Sequence, residues 1–203
     1  MSKRIYISAD YSEKDGDRNV IDVLHAWGKD ALHKVDYVDT ASVVSGSVSD
    51  DSDCRVCELK REFNQQINAS SVVLFVIGDK TADRTAGSLC RRLIDGPGCD
   101  CTPYKQNAGG TKRCIISGPL STPGPNDDVG KINQYSFIRH EYEQAKKKGK
   151  RIVVVYNSLY KQPSWMPSYM EDCVDEARPF WIKNAAGMIV GNYSFIKGAL
   201  GYE

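Results

Sequence analysis

Residues 137–145 read Phe-Ile-Arg-His-Glu-Tyr-Glu-Gln-Ala, and the run Lys-Lys-Lys-Gly-Lys at 146–150 joins them to Ile-Val-Val-Val-Tyr at 152–156. The first stretch has the apolar spacing of an amphipathic helix, and Gly149 marks its end. The last run is typical of a buried strand. Because a helix that feeds a buried strand is half of a βαβ unit, this stretch predicts an α/β fold with a parallel sheet.

The chain before this stretch repeats the alternation of strand and helix. Strands are predicted at 5–8, 35–39 and 71–78, and the apolar stripe of the first helix extends to Leu32. The strand at 71–78 is apolar on both faces, as a central parallel strand should be. The order predicts an open parallel sheet with helices on both faces, which binds ligands at the carboxyl ends of its strands.

One long segment interrupts this alternation. Residues 79–134 are rich in Gly, Pro, Cys and Thr, and only 113–116 looks like a strand. We interpret the segment as a surface insertion before the helix that carries Glu141. The length of 203 residues predicts a single domain over 1–203, with a short helix near 168–177 towards its end.

Composition excludes several classes of protein. The chain has 27 basic and 26 acidic residues, so a formal charge of +1 gives no sign of electrostatic nucleic-acid capture. The longest apolar run, 72–77, is too short to cross a bilayer, and no signal peptide opens the sequence. We therefore expect a cytoplasmic protein. Seven cysteines, an odd number, argue against a disulfide framework.

Four segments together resemble the TIR (Toll/interleukin-1 receptor) domain family, in particular the bacterial TIR-like proteins of Thoeris-type anti-phage defence. They are Lys-Arg-Ile-Tyr-Ile-Ser-Ala-Asp-Tyr at 3–11, Val-Leu-Phe-Val-Ile-Gly-Asp-Lys-Thr at 73–81, Phe-Ile-Arg-His-Glu-Tyr at 137–142 and Ala-Leu-Gly-Tyr at 199–202. The chain departs from the family where Phe137 replaces a frequent Trp, and in the length of its insertion.

The resemblance implies a flavodoxin-like fold and cleavage of the nicotinamide–ribose bond of NAD⁺, which is a substrate and not a resident cofactor. It implies that Glu141 is catalytic and that Ser8, Asp10, Tyr11 and Phe137 contact the nucleotide. It further implies self-association through TIR surfaces, and a downstream effector that senses the nucleotide product. Membranes and nucleic acids are not expected partners.

The periodicity of the helix bears on Glu141 directly. Ile138, Tyr142 and Ala145 form the core stripe, and Phe137 and Glu141 are an i, i+4 pair on its flank. We therefore expect Glu141 at the boundary between core and cleft, where partial desolvation would strengthen its electric field.

Other interpretations remain open at this point. A non-catalytic TIR module that assembles with other TIR domains would use the loop at 40–53 and exposed helix faces. A nucleotide sensor with the same fold would bind without turnover. The acidic loop at 50–53 and the glycines at 109–110 are interpreted as ordinary loops. Structural zinc is the weaker alternative to free thiols, and we predict no metal. The four thiolates that zinc would need could come from among Cys54, Cys57, Cys99, Cys101 and Cys114.

Overall fold

A computed structural model of the protein describes residues 3–11, 16–29, 35–39, 55–84 and 136–202. In these ranges, five parallel strands form one sheet in the order β2-β1-β3-β4-β5. The strands are β1 (Arg4–Ser8), β2 (Asp36–Asp39), β3 (Val72–Ile77), β4 (Arg151–Tyr156) and β5 (Arg178–Pro179). The predicted α/β class with a parallel sheet is therefore confirmed.

Helices pack on both faces of this sheet. They are α1 (Arg18–Lys29), α2 (Arg55–Ala69), α3 (Phe137–Lys147) and α4 (Tyr193–Ala199). Alternate residues of β1 point to opposite faces. Ile5 and Ile7 join a core cluster with α1 and α4, whereas Tyr6 joins a second cluster with α2 and α3. All six residues of β3 are buried, as predicted for the central strand.

The ends of α3 follow from local sequence. Ser136 caps its first turn, because its Oγ accepts a hydrogen bond of 3.0 Å from the Arg139 backbone N–H. At the other end, Gly149 has a φ of +59°, and its N–H donates to the Lys146 carbonyl at 3.0 Å. This left-handed conformation favours glycine. It ends the helix before β4 begins, as the sequence predicted.

The C-terminal part of the chain contains more structure than predicted. A 3₁₀ helix, Ser168–Cys173, stands where a short helix was predicted near 168–177. The antiparallel hairpin of β6 (Trp181–Lys183) and β7 (Ile189–Gly191), like β5 and α4, was not predicted. Two local signals mark these elements: Gly187, with a φ of +78°, lies in the hairpin turn, and the Asn192 side chain caps α4.

Several predictions differ in extent or lie outside the described residues. Helix α1 ends at Lys29. The apolar stripe predicted for it continues to Leu32, which lies outside the described residues. The segment predicted as an insertion opens with a turn and a short 3₁₀ helix, Thr81–Asp83. Residues 85–135 are outside the described part, and so is the strand predicted at 113–116. In the described ranges, no helix has both the length and the apolar character needed to cross a membrane.

The topology fixes where a site can form. Strand β1 lies between β2 and β3, so the chain passes from one side of β1 to the other after β2. In open parallel sheets, ligands bind outside the carboxyl ends of the strands at such a switch point. A ligand site is therefore expected among the residues that follow β1 and β3.

Candidate active site

Glu141 is a buried carboxylate in the middle of α3, with only 1% of the residue exposed. Its Oε1 accepts a hydrogen bond of 2.5 Å from Tyr6 Oη, and its Oε2 accepts one from Ser8 Oγ. Both donors belong to β1. The structure thus brings together two of the predicted site residues, Ser8 and Glu141, and adds Tyr6.

This arrangement combines two periodicities. Tyr6 and Ser8 are two residues apart on β1, so their side chains leave the sheet on the same face. On α3, the predicted stripe of Ile138, Tyr142 and Ala145 is buried against that face. Glu141 directly precedes Tyr142, and its side chain reaches the two hydroxyls from the edge of the stripe.

The structure differs from prediction in how deeply Glu141 lies. We expected a boundary position, but the buried face of α3 also includes His140 and Gln144. His140 Nε2 lies 2.9 Å from Asn64 Oδ1 on α2, so α3 is packed against a neighbouring helix as well as the sheet. Contact with α2 accounts for the burial of His140, whereas Glu141 is buried against β1.

Phe137, the predicted partner of Glu141 on the helix flank, is half-buried. Its ring meets that of Phe63 on α2 edge-on, with centroids 5.5 Å apart and planes at 85°. Phe137 therefore contributes to the α2–α3 contact one turn before Glu141.

Asp10 and Tyr11 follow β1, and their side chains contact different parts of the structure. Asp10 Oδ2 is 2.5 Å from Arg84 Nε, so an ion pair joins the loops after β1 and β3 across the switch point. Tyr11 packs against the core cluster on the α1 face, and its carbonyl accepts from the Arg18 guanidinium at 3.3 Å. Tyr11 therefore lies on the opposite face of the sheet from Glu141.

A second buried carboxylate, Asp17, directly precedes α1. It is 2% exposed, and its Oδ1 accepts a hydrogen bond of 2.9 Å from Asn157 Nδ2, after β4. A Cβ added at Gly78 would lie 2.5 Å from that same oxygen. Burial raises the pKa of Asp17 from 3.8 to about 6, and the hydrogen bond from Asn157 opposes part of this rise.

The described residues offer no metal site. Nowhere in the described ranges do three His, Cys, Asp or Glu side chains gather so as to hold an ion. The side chains that the zinc hypothesis requires, and the loops at 50–53 and 109–112, lie outside the described part. Cys173 is a free thiol, and burial raises its pKa.

Comparisons with known proteins identify no family for this chain: no family model matches it, and no curated protein matches it significantly. The TIR resemblance therefore stays a prediction drawn from the residues.

Proposed function

We propose that this chain is a flavodoxin-like, TIR-like enzyme that cleaves the nicotinamide–ribose bond of NAD⁺ in the cytoplasm, with Glu141 as its catalytic carboxylate. The product is an ADP-ribose-derived signal, linear, cyclic or conjugated, read by a downstream effector in bacterial anti-phage defence. The observation that carries the proposal is the carboxylate of Glu141, buried beneath the carboxyl end of β1 and held by Tyr6 and Ser8.

Topology supports the fold part of the proposal. The strand order β2-β1-β3-β4-β5 is that of flavodoxin-like sheets, in which nucleotides bind at the switch point. Ser8 is the last residue of β1 and therefore lies at this edge. Glu141 reaches the same place from α3.

The chemistry needs few protein groups. The nicotinamide of NAD⁺ is cationic and leaves as a neutral molecule, so no general acid has to protonate it. Positive charge develops on the ribose as an oxocarbenium ion, which a carboxylate stabilises in glycosidases. A carboxylate held away from bulk water does this more strongly than one in solvent, because the local dielectric constant is lower.

Nucleotide contacts are proposed for the other predicted residues. Asp10, Tyr11 and Phe137 remain candidates, and the ion pair with Asp10 places the guanidinium of Arg84 at the switch point. Guanidinium groups bind phosphate oxygens in a two-pronged manner, which would suit the pyrophosphate of NAD⁺.

Nicotinamide release from NAD⁺ tests the proposal, with Glu141→Gln as the variant. We expect the rate to fall about 10²–10³-fold, because the variant keeps the shape of the side chain and removes its charge. Glu143→Gln is the matched control, since Glu143 lies on the same helix, is partly exposed and pairs with Arg139 at 2.9 Å. It should leave the rate unchanged.

The assay should cover a range of protein concentrations, because the proposal includes self-association. A Glu141→Gln protein that releases nicotinamide as fast as the wild type would contradict a catalytic role for this residue. NAD⁺ that binds without turnover at every concentration would instead support the nucleotide-sensor alternative.

One observation favours the assembly-module alternative. Strand β5 pairs with β4 only at Val155 and Tyr156, and a groove of about 450 Å³ runs beside residues 151–154. Tyr142 and Cys173 form part of one wall, and Phe195 and Ala199 form part of another. Strand edges with free backbone groups bind other chains.

Ala199→Arg would place a long charged side chain in this groove. If assembly is the function, sedimentation velocity will show self-association that this variant abolishes, while the wild type releases no nicotinamide. Self-association that survives Ala199→Arg would exclude the groove as the contact.

A further inference from the structure

The two oxygens of the Glu141 carboxylate lie in different surroundings. We propose, building on the proposed function, that Tyr6 is a positioning residue that fixes Oε1, while Oε2 is the atom that meets the substrate. In this arrangement a ribose hydroxyl of NAD⁺ takes the place that the Ser8 hydroxyl holds in the structure.

Depth along β1 distinguishes the two donors. Tyr6 precedes Ser8 by two residues, which is about 6.6 Å along a parallel strand. Ser8 is the last residue of β1, at the edge where ligands of parallel sheets bind. Because Oε2 accepts the hydrogen bond from Ser8, it is the carboxylate oxygen that faces the ligand-binding edge.

The two donors also differ in freedom of movement. Tyr6 is fully buried in the core cluster on the α2 and α3 face, so packing fixes the direction of its hydroxyl. Ser8 is equally buried, but its hydroxyl sits on a short side chain and rotates to suit its partners. Ser8 is thus the donor that a substrate can replace.

Different kinetic consequences follow for the two residues. Tyr6→Phe keeps the ring and removes the donor that orients the carboxylate, so we expect kcat to fall about 10- to 100-fold, the scale for a lost supporting hydrogen bond. KM should change little, because Tyr6 does not touch the substrate. Ser8→Ala should lower KM, because the ribose no longer displaces a hydrogen bond.

Tyr142→Phe is the matched control for Tyr6→Phe. Tyr142 is also buried, lies next to Glu141 in sequence, and donates its hydroxyl to Asp172 Oδ1 at 2.5 Å. Removing this hydroxyl is the same chemical change with a different partner, so kcat should not follow that of Tyr6→Phe. Thermal unfolding of each variant checks that it is folded.

The experiment measures kcat and KM for nicotinamide release from NAD⁺ in the wild type and the variants. Turnover that depends on Glu141, with Tyr6→Phe no slower than Tyr142→Phe, would overturn the inference and leave the proposed function standing. A wild type without turnover would overturn both. Should Tyr6→Phe fail to fold, Ser8→Ala decides: a raised KM would contradict the exchange of hydroxyls.

Discussion

Glu141 and Asp17 are two buried carboxylates near the carboxyl end of one sheet, but the fold accounts for them differently. Asp17 directly precedes α1 and accepts a hydrogen bond from Asn157, beyond β4. Its backbone N–H also donates to the Asp10 carbonyl at 2.7 Å. Asp17 therefore connects the loops at the ends of β1 and β4. An apolar side chain would keep the backbone bond to Asp10 but would lose the bond from Asn157.

Helix formation does not require a carboxylate at position 141, in the middle of α3. Leu, Met or Gln would form the helix as well as Glu does. Burying a carboxylate costs free energy that two hydroxyl donors repay only in part, and well-packed apolar residues often replace such networks without loss. The comparison indicates that the structure explains Asp17, whereas Glu141 calls for a functional explanation.

The largest expected effect comes from replacing the whole Glu141 network. We expect Tyr6→Phe/Ser8→Ala/Glu141→Met to equal the wild type in free energy of unfolding or to exceed it by about 1–4 kcal/mol, with no nicotinamide release. Urea denaturation measures the free energy. A marked loss of stability would show that the network is structural, and the contrast with Asp17 would fail.

The pH dependence of stability tests the other carboxylate. Because its pKa is raised from 3.8 to about 6, the contribution of Asp17 to stability is fully present below about pH 4 and is lost as pH rises through 6. Asp17→Asn cannot titrate and keeps an acceptor for Asn157. Its free energy of unfolding, relative to the wild type, should therefore rise between pH 4 and pH 8 by at most about 3 kcal/mol.

Urea denaturation of both proteins across this pH range gives the difference, in which the contributions of titrating groups that do not interact with Asp17 cancel. Asp10 and Asp79 do interact with it. A difference that stays constant from pH 4 to pH 8 would mean that Asp17 does not titrate as its burial predicts.

The smallest effect concerns a third buried polar group. Tyr156, at the end of β4, is fully buried, and its hydroxyl has no hydrogen-bond partner among the described residues. Tyr156→Phe removes an unsatisfied hydroxyl, so it should raise the free energy of unfolding by about 1 kcal/mol or less. Tyr6→Phe removes a hydroxyl that has a hydrogen-bond partner, so it should lower the free energy of unfolding. Equal losses in melting temperature for both variants would show that Tyr156 does have a partner.

Local pattern predicted much of the sheet but not the contacts of the site. Runs of apolar residues were sufficient to predict strands β3 and β4, and Gly149 was sufficient to predict where α3 ends. The alternation of β1 places Tyr6 and Ser8 on one face, yet nothing in the sequence says that α3 packs over them. Periodicity identifies the face of an element, whereas its partner depends on tertiary packing.

The missed residues illustrate the same limit. Asp17 and Asn157 are 140 residues apart, and each is an ordinary loop residue by local criteria. The hairpin of β6 and β7 has strands of three residues each, too short for alternation to be recognised. Gly187 and Asn192 were the available signals, and they mark turns without specifying what the turns connect.

Tyr6 and Glu141 are separated by 135 positions, yet they share one hydrogen bond. Contacts this distant in sequence form late, because a long loop must close before they contribute any free energy. During synthesis, β1 leaves the ribosome well before α3 exists. An incomplete or misfolded chain therefore has no assembled carboxylate site, and the proposed NAD⁺-consuming activity would be withheld until α3 has packed over β1.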